Sequence, residues 1–222
     1  MARRPPPQPK SLGPKEAERP STLYFSNVPE KEFGYYGEAF YDAARVLVRS
    51  IARRRGHKMA DVLPVLFLYR HAIELSAKAV ILSGNNLMSI TGQGKTQHEV
   101  FDDFKKWKHR LCPLLPPIKR VFDYANWEWY WPNSEIETFA DVKAVFSDLE
   151  LLDPNSFTFR YPTNLRGERS ARADMQFGLT TTINVLDALA EALQTSVFGL
   201  DAEYGKEEHR GQVLTSNTEV KS

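Results

Sequence analysis

Cysteine is the residue this chain has least of. The single one, Cys112, excludes an internal disulfide and a cysteine-built zinc cage, and it fits a reducing, cytoplasmic setting. Excess charge is equally scarce. With 29 Lys and Arg against 28 Asp and Glu, the formal net charge is +1, so the bulk composition calls for neither a nucleic-acid nor a membrane partner. No apolar stretch stays free of charge over the ~20 residues a membrane span needs. The start of the sequence, MARRPPPQPK, has no apolar core of a secretion signal. Nor is there a nucleotide loop. Residues 89–96, SITGQGKT, end like one, but the form G-x-x-x-x-G-K-[ST] requires glycine where Ser89 stands and a buried strand before it. No cofactor and no metal are expected.

What the chain does have is apolar material. At 222 residues, 42% hydrophobic and 12% aromatic, it can bury one sizeable core. We divide it into a basic, proline-rich tail (1–22), a helical domain (23–199) and a polar tail (200–222), both tails being expected to be disordered.

The domain is organised around residues 61–84, DVLPVLFLYRHAIELSAKAVILSG. On a helix, Arg70, Glu74 and Lys78 fall at i, i+4 and i+8 with His71 beside them, so the four share one sector. The remaining circumference is apolar, and a helix apolar nearly all round belongs in a core. These polar side chains are therefore expected to be at least partly buried. A charge removed from water costs several kcal/mol unless it is paired and hydrogen-bonded, which places Glu74 between Arg70 and Lys78 and requires further partners. Asp61 is read as the N-cap, Pro64 as a first-turn proline and Gly84 as the C-terminal stop.

Amphipathic spacing predicts a helix over 32–55 packing on the central one, with Arg53, Arg54 and Arg55 closing its last turn before Gly56. Thr96 and Glu99 form a capping box for a helix over 98–111, and His98 in its first turn is a candidate to reach the polar centre. Prolines 113, 116 and 117 break the chain before a short helix through Ile118, Val121, Phe122 and Ala125. The aromatic run NWEWYWP (126–132) reads as a core lid or protein interface rather than a base-stacking surface, since no basic residues interleave it. Ser134 and Glu137 suggest a second capping box, opening a helix that Asp153-Pro154 ends. Phe157, Phe159 and Tyr161 then alternate with Thr158 and Arg160, predicting a short extended segment with Arg160 on its opposite face as a possible partner for Glu74. The arginine-bearing loop 163–174 leads to a last helix over 179–198. The fold class is therefore all-α, a bundle of about five to six helices with a short extended FRYP segment before the last.

The order LYRHAIEL (68–75) with Lys78, then His98 opening a helix, then FRYP (159–162) before a final helix, resembles a group of bacterial helical-bundle proteins that look like members of the HEPN superfamily. The likeness spans roughly residues 33–198. It implies an all-α bundle that commonly dimerises, that is often found in toxin–antitoxin, phage-defence or stress systems, and that in many members is a metal-independent ribonuclease with an R-x4-6-H motif. This chain departs from that motif: Arg49 and Arg53 miss His57 by spacing, Arg70 and His71 are adjacent, and residues 179–198 contain no histidine.

Three functions follow. One is a non-catalytic module that binds RNA, a nucleotide or a protein partner. Another is a ribonuclease in which Arg70, His71 and Glu74 are catalytic and Lys78, His98 and Arg160 bind substrate. The third is a structural ionic network in an interaction protein. If the cluster opens into a pocket, binding or catalysis gains; if it is occluded and internally satisfied, structure does.

Overall fold

The apolar recurrences become six α-helices in the computed structural model of the chain, which describes residues 28–54, 59–131, 134–154, 156–163, 166–170 and 178–219. They are α1 (Pro29–Ala52), α2 (Met59–Ile90), α3 (Gln97–Trp107), α4 (Leu115–Ala125), α5 (Phe139–Leu152) and α6 (Leu179–Glu219). The all-α expectation holds: among the described residues 75% are helical and none forms a strand. The proline-rich tail, most of the RRRGH patch and residues 171–177 lie outside the described residues.

The central helix is α2, and its apolar circumference is used on every side. Val65, Leu66, Tyr69, Ala72, Ile73 and Val80 are all buried, with α1 and α6 packed along it and α4 across its C-terminal half. Its bounds differ from the expected ones. Asp61 and Pro64 lie inside a helix that begins at Met59. Gly84 does not stop it; α2 continues to Ile90, and the chain leaves through Gly92 at φ +71°. Gly84 instead marks the crossing with α4, where a Cβ would overlap the Val121 methyl groups.

The other boundary corrections have local causes. The capping box of Thr96 and Glu99 is present, but α3 ends at Trp107, where Lys108 adopts φ +55°. Pro116 and Pro117 start α4 rather than break the chain, because a first turn needs no backbone donor at those positions. The second capping box is made by Thr138 and Asp141 instead of Ser134 and Glu137, so α5 begins at Phe139. Ser134 Oγ is engaged in its own turn, on Trp131 O and Ile136 O.

The FRYP segment is not extended. Asp153 Oδ1 accepts from the backbone of Phe157 (2.6 Å) and Thr158 (2.8 Å) and winds the chain into turns, with Arg160 N and Tyr161 N both returning to Phe157 O. Only Phe159 of the three aromatics is buried. The last helix does not stop near Phe198; the polar segment 200–222, expected to be disordered, is helical as far as Glu219. That extension adds His209, but no arginine stands four to six intervening residues before it.

Gly84→Ala is expected to cost stability. Overpacking against Val121 costs roughly 1–3 kcal/mol, against a gain of about 1 kcal/mol in helix propensity. The double variant with Val121→Ala should lose less than the sum of the two singles, measured by urea denaturation; additivity would show that Gly84 and Val121 do not meet.

Candidate functional site

The i, i+4, i+8 spacing on α2 does bring three charges together inside the protein. Arg70 is 0% exposed, Glu74 1% and Lys78 7%. Glu74 lies between them, its Oε2 accepting from Arg70 Nη1 at 3.1 Å and its Oε1 from Lys78 Nζ at 2.8 Å. Further donors are taken by groups that no side-chain pattern advertised. Arg70 Nη2 donates to His109 O (2.6 Å) and Nε to Asp153 O (3.2 Å), with the Asp153 carboxylate 3.3 Å from Nε. Lys78 Nζ donates to Lys108 O (3.2 Å). His109 Nδ1 lies 3.1 Å from Glu74 Oε1.

This arrangement explains the early end of α3. Stopping the helix at Trp107 frees the carbonyls of Lys108 and His109 from helical pairing and presents them to the two buried cations. It also explains Asp153: the C-cap of α5 pairs with Arg70 on one side and fixes the next turn on the other.

The remaining candidate residues are placed differently. His71 is half-buried between the rings of Phe40 (4.4 Å, edge-on) and Phe67 (5.6 Å, stacked), its Nδ1 buried without a hydrogen-bond partner. Burial lowers its pKa, outweighing the pull of Glu74, so the ring is neutral at pH 7. His98 does not reach the centre; its side chain is 81% exposed and pairs with Asp102 on its own helix. Arg160 is no partner of Glu74 either. Its guanidinium lies 5.3 Å over the Phe67 ring and Nε donates to Ser156 O. The two members missed in the sequence are His109 and Asp153. Asp153 had a signal, as the last residue before Pro154; His109 had none beyond being a histidine near a helix end.

The charge balance is strong. Burial alone would raise the Glu74 pKa, but the His109 hydrogen bond, the Lys78 charge and hydrogen bond, and Arg70 outweigh it and bring it down to about 2. What the arrangement can do chemically is limited by access, because the carboxylate and the guanidinium touch protein on all sides.

An open site lies elsewhere. Between the segment after α4 and one face of α6 runs a groove of about 980 Å3. Trp127, Tyr130 and Trp131 supply its aromatic surface, and Glu128, Asp187 and Glu191 its carboxylates; no lysine, arginine or histidine is among its described lining residues. Trp129, the remaining tryptophan of the run, is stacked on buried Phe122 at 4.1 Å and holds the segment to the core. Asp187 is fixed from below by the Tyr69 hydroxyl, which donates at 2.8 Å, and lies 3.6 Å from Arg45 on α1. No metal-binding group of three or more His, Cys, Asp or Glu occurs among the described residues, and no described helix is long and apolar enough to cross a membrane.

Fold and geometry thus define an all-α bundle with a closed ionic centre and an open acidic, aromatic groove. Compared with family models, curated proteins and solved structures, the chain finds no match in any of the three.

Two outcomes follow for the ionic centre. Glu74→Gln removes the only charge that neutralises both Arg70 and Lys78 within the helix and should cost about 3–5 kcal/mol in urea denaturation at pH 7. Because the folded-state pKa of Glu74 is depressed, its contribution is fully present above pH ~4.5 and is lost as pH falls toward 2; it amounts to roughly 3 kcal/mol. Wild-type stability should therefore fall across that window more steeply than that of the Gln variant, and equal slopes would refute the pairing.

Proposed function

We propose that the protein is a non-catalytic, HEPN-like binding module that takes a cationic segment of a protein partner in the groove between α6 and residues 126–131. The observation that carries this reading is the chemistry of the groove wall: four aromatic residues, Phe122 at its base among them, and three carboxylates, with no basic residue among the described lining residues. A phosphate backbone would meet three carboxylates and no basic lining residue there, which disfavours RNA and nucleotides. Guanidinium or ammonium groups would find both carboxylates and ring faces. The resemblance to the HEPN superfamily adds a bacterial stress or defence setting and a homodimer to this proposal.

The ribonuclease reading keeps one specific support. His109, 54% exposed at its side chain, is oriented by Glu74 at 3.1 Å, and His71 lies near enough for the two imidazoles to influence each other. A histidine held by a carboxylate has the arrangement of an acid–base unit. Arg70, however, is fully enclosed and cannot hold a scissile phosphate without the core opening.

Fluorescence anisotropy separates these readings. A labelled oligo-arginine peptide should bind, weakening about ten-fold in Glu191→Lys, a loss near 1.4 kcal/mol. Labelled single-stranded RNA should neither bind comparably at physiological salt nor be cut. Peptide binding indifferent to Glu191→Lys would remove the groove reading. Cleavage of RNA that disappears in His109→Gln, in a variant that still folds, would establish the ribonuclease instead.

A further inference from the structure

The groove has the chemistry of a site for a basic, proline-rich strand, and the chain contains one. Residues 3–10 read RRPPPQPK, four prolines flanked by Arg3, Arg4 and Lys10 and no acidic residue. Building on the binding-module reading above, we propose that residues 3–10 dock into the groove of their own chain, so that an external partner must displace them.

Dimensions, chemistry and connectivity agree on this occupant. A polyproline II strand of eight residues is about 25 Å long at ~3.1 Å per residue. The α6 wall from Asn184 to Gly199 spans about 22 Å at ~1.5 Å per residue. Aromatic-lined grooves are a general means of holding proline-rich strands, because the pyrrolidine rings pack on aromatic faces and the strand is already extended. Trp127, Tyr130 and Trp131 supply those faces. Charge pairs in the same direction: the strand carries only cations, and Glu128, Asp187 and Glu191 line the groove. Arg45 already lies by Asp187 at 3.6 Å, which leaves Glu128 and Glu191 as the principal counter-charges for Arg3, Arg4 and Lys10.

The chain also enters the bundle level with the groove's end, on the opposite face of α6. Gly34 near the start of α1 approaches Val197 on α6, and one residue pair further along α6 Gly199 approaches Trp127 at the groove's end. Eighteen positions separate Lys10 from Val28, a reach of up to roughly 60 Å when extended. Crossing one helix needs about 10–12 Å. A tether of this kind gives an effective concentration of order mM. A strand with a dissociation constant near ~100 μM would then be docked about ten times out of eleven, and an external ligand of the groove would bind about ten-fold more weakly than to a vacated site.

The full chain tests this directly. Carbodiimide coupling, which joins an amine to a carboxylate in contact, should link Lys10 to Glu191 or Glu128, and a mixture of natural and heavy-isotope chains should show the link within one chain. In the double variant Arg3→Glu, Arg4→Glu the link should vanish, and an added labelled Met1–Leu12 peptide should bind about ten-fold more tightly than to wild type. Glu191→Lys should lose that peptide. Absence of the Lys10 link, links only between differently labelled chains, or peptide affinity indifferent to the Arg3 and Arg4 changes would each overturn self-docking. If oligo-arginine binding still weakens in Glu191→Lys after such a result, the groove reading survives and only the self-docking falls. If that binding is indifferent as well, both fall.

Discussion

A guanidinium with no access to water needs an acceptor at each of its three nitrogens, and Arg70 imposes that condition on the whole bundle. Glu74, four residues on, supplies one acceptor and the compensating charge. The others come from the carbonyls of His109 and Asp153, on segments that meet α2 only in the folded state. Removing any of them would leave a buried donor unpaired, at about 1–3 kcal/mol for a neutral group and more for a charged one. The end of α3, the cap of α5 and the turn through 157–161 are therefore not independent local features. Each is shaped by the need to present an oxygen to the same buried cations or to hold the residue that does.

Close packing supplies the second constraint, and glycine marks where it acts. At Gly37 a Cβ would stand 2.6 Å from Ser76 Oγ and 2.9 Å from Gln194 Nε2, the pair whose hydrogen bond at 2.7 Å joins α2 to α6. At Gly84 the crossing with α4 leaves no room for a methyl group. These contacts fix α1, α4 and α6 around α2 and so determine where the Trp127–Trp131 segment can lie. Phe122, buried on α4, stacks on Trp129 and meets the rings of Trp127 and Trp131 edge-on. One aromatic is thus spent on the core, and its neighbours along the chain are left to form a wall.

How much of this the sequence revealed depends on the range of the interaction. Arg70, Glu74 and Lys78 were legible because their partnership is set by helical spacing within one segment. The capping box at Thr96 was legible for the same reason. The acceptors of Arg70 were not, because a backbone carbonyl has no residue signature and these two lie 39 and 83 positions from the arginine that donates to them. Gly84 was misread because glycine serves both as a helix stop and as a point of close approach, and only a neighbouring helix decides between them. The alternation at 157–161 looked extended, yet the Asp153 carboxylate overrode it by capturing two backbone donors. The groove was only half visible: its aromatic run stood out, while nothing within the last helix marks Asp187 and Glu191 as facing that run.

The two charged regions of the protein consequently have opposite roles. At the ionic centre every charge is compensated by a partner within reach, so the free energy of the network is already committed to the fold, and a ligand could gain from it only by opening the core. At the groove the carboxylates of Glu128 and Glu191 lie beside aromatic surface at the protein's edge, where a guest can replace water without displacing a structural partner. A cation arriving there gains charge pairing and ring contact together, and it does so on a wall held rigid by Trp129 from within and by the Tyr69–Asp187 hydrogen bond from below. Rigidity at that wall derives from the same α2 whose charges are hidden, since Tyr69 precedes Arg70. The residue that anchors the groove and the one that organises the core are neighbours on one helix, so the buried network serves recognition by holding the helix that supports it.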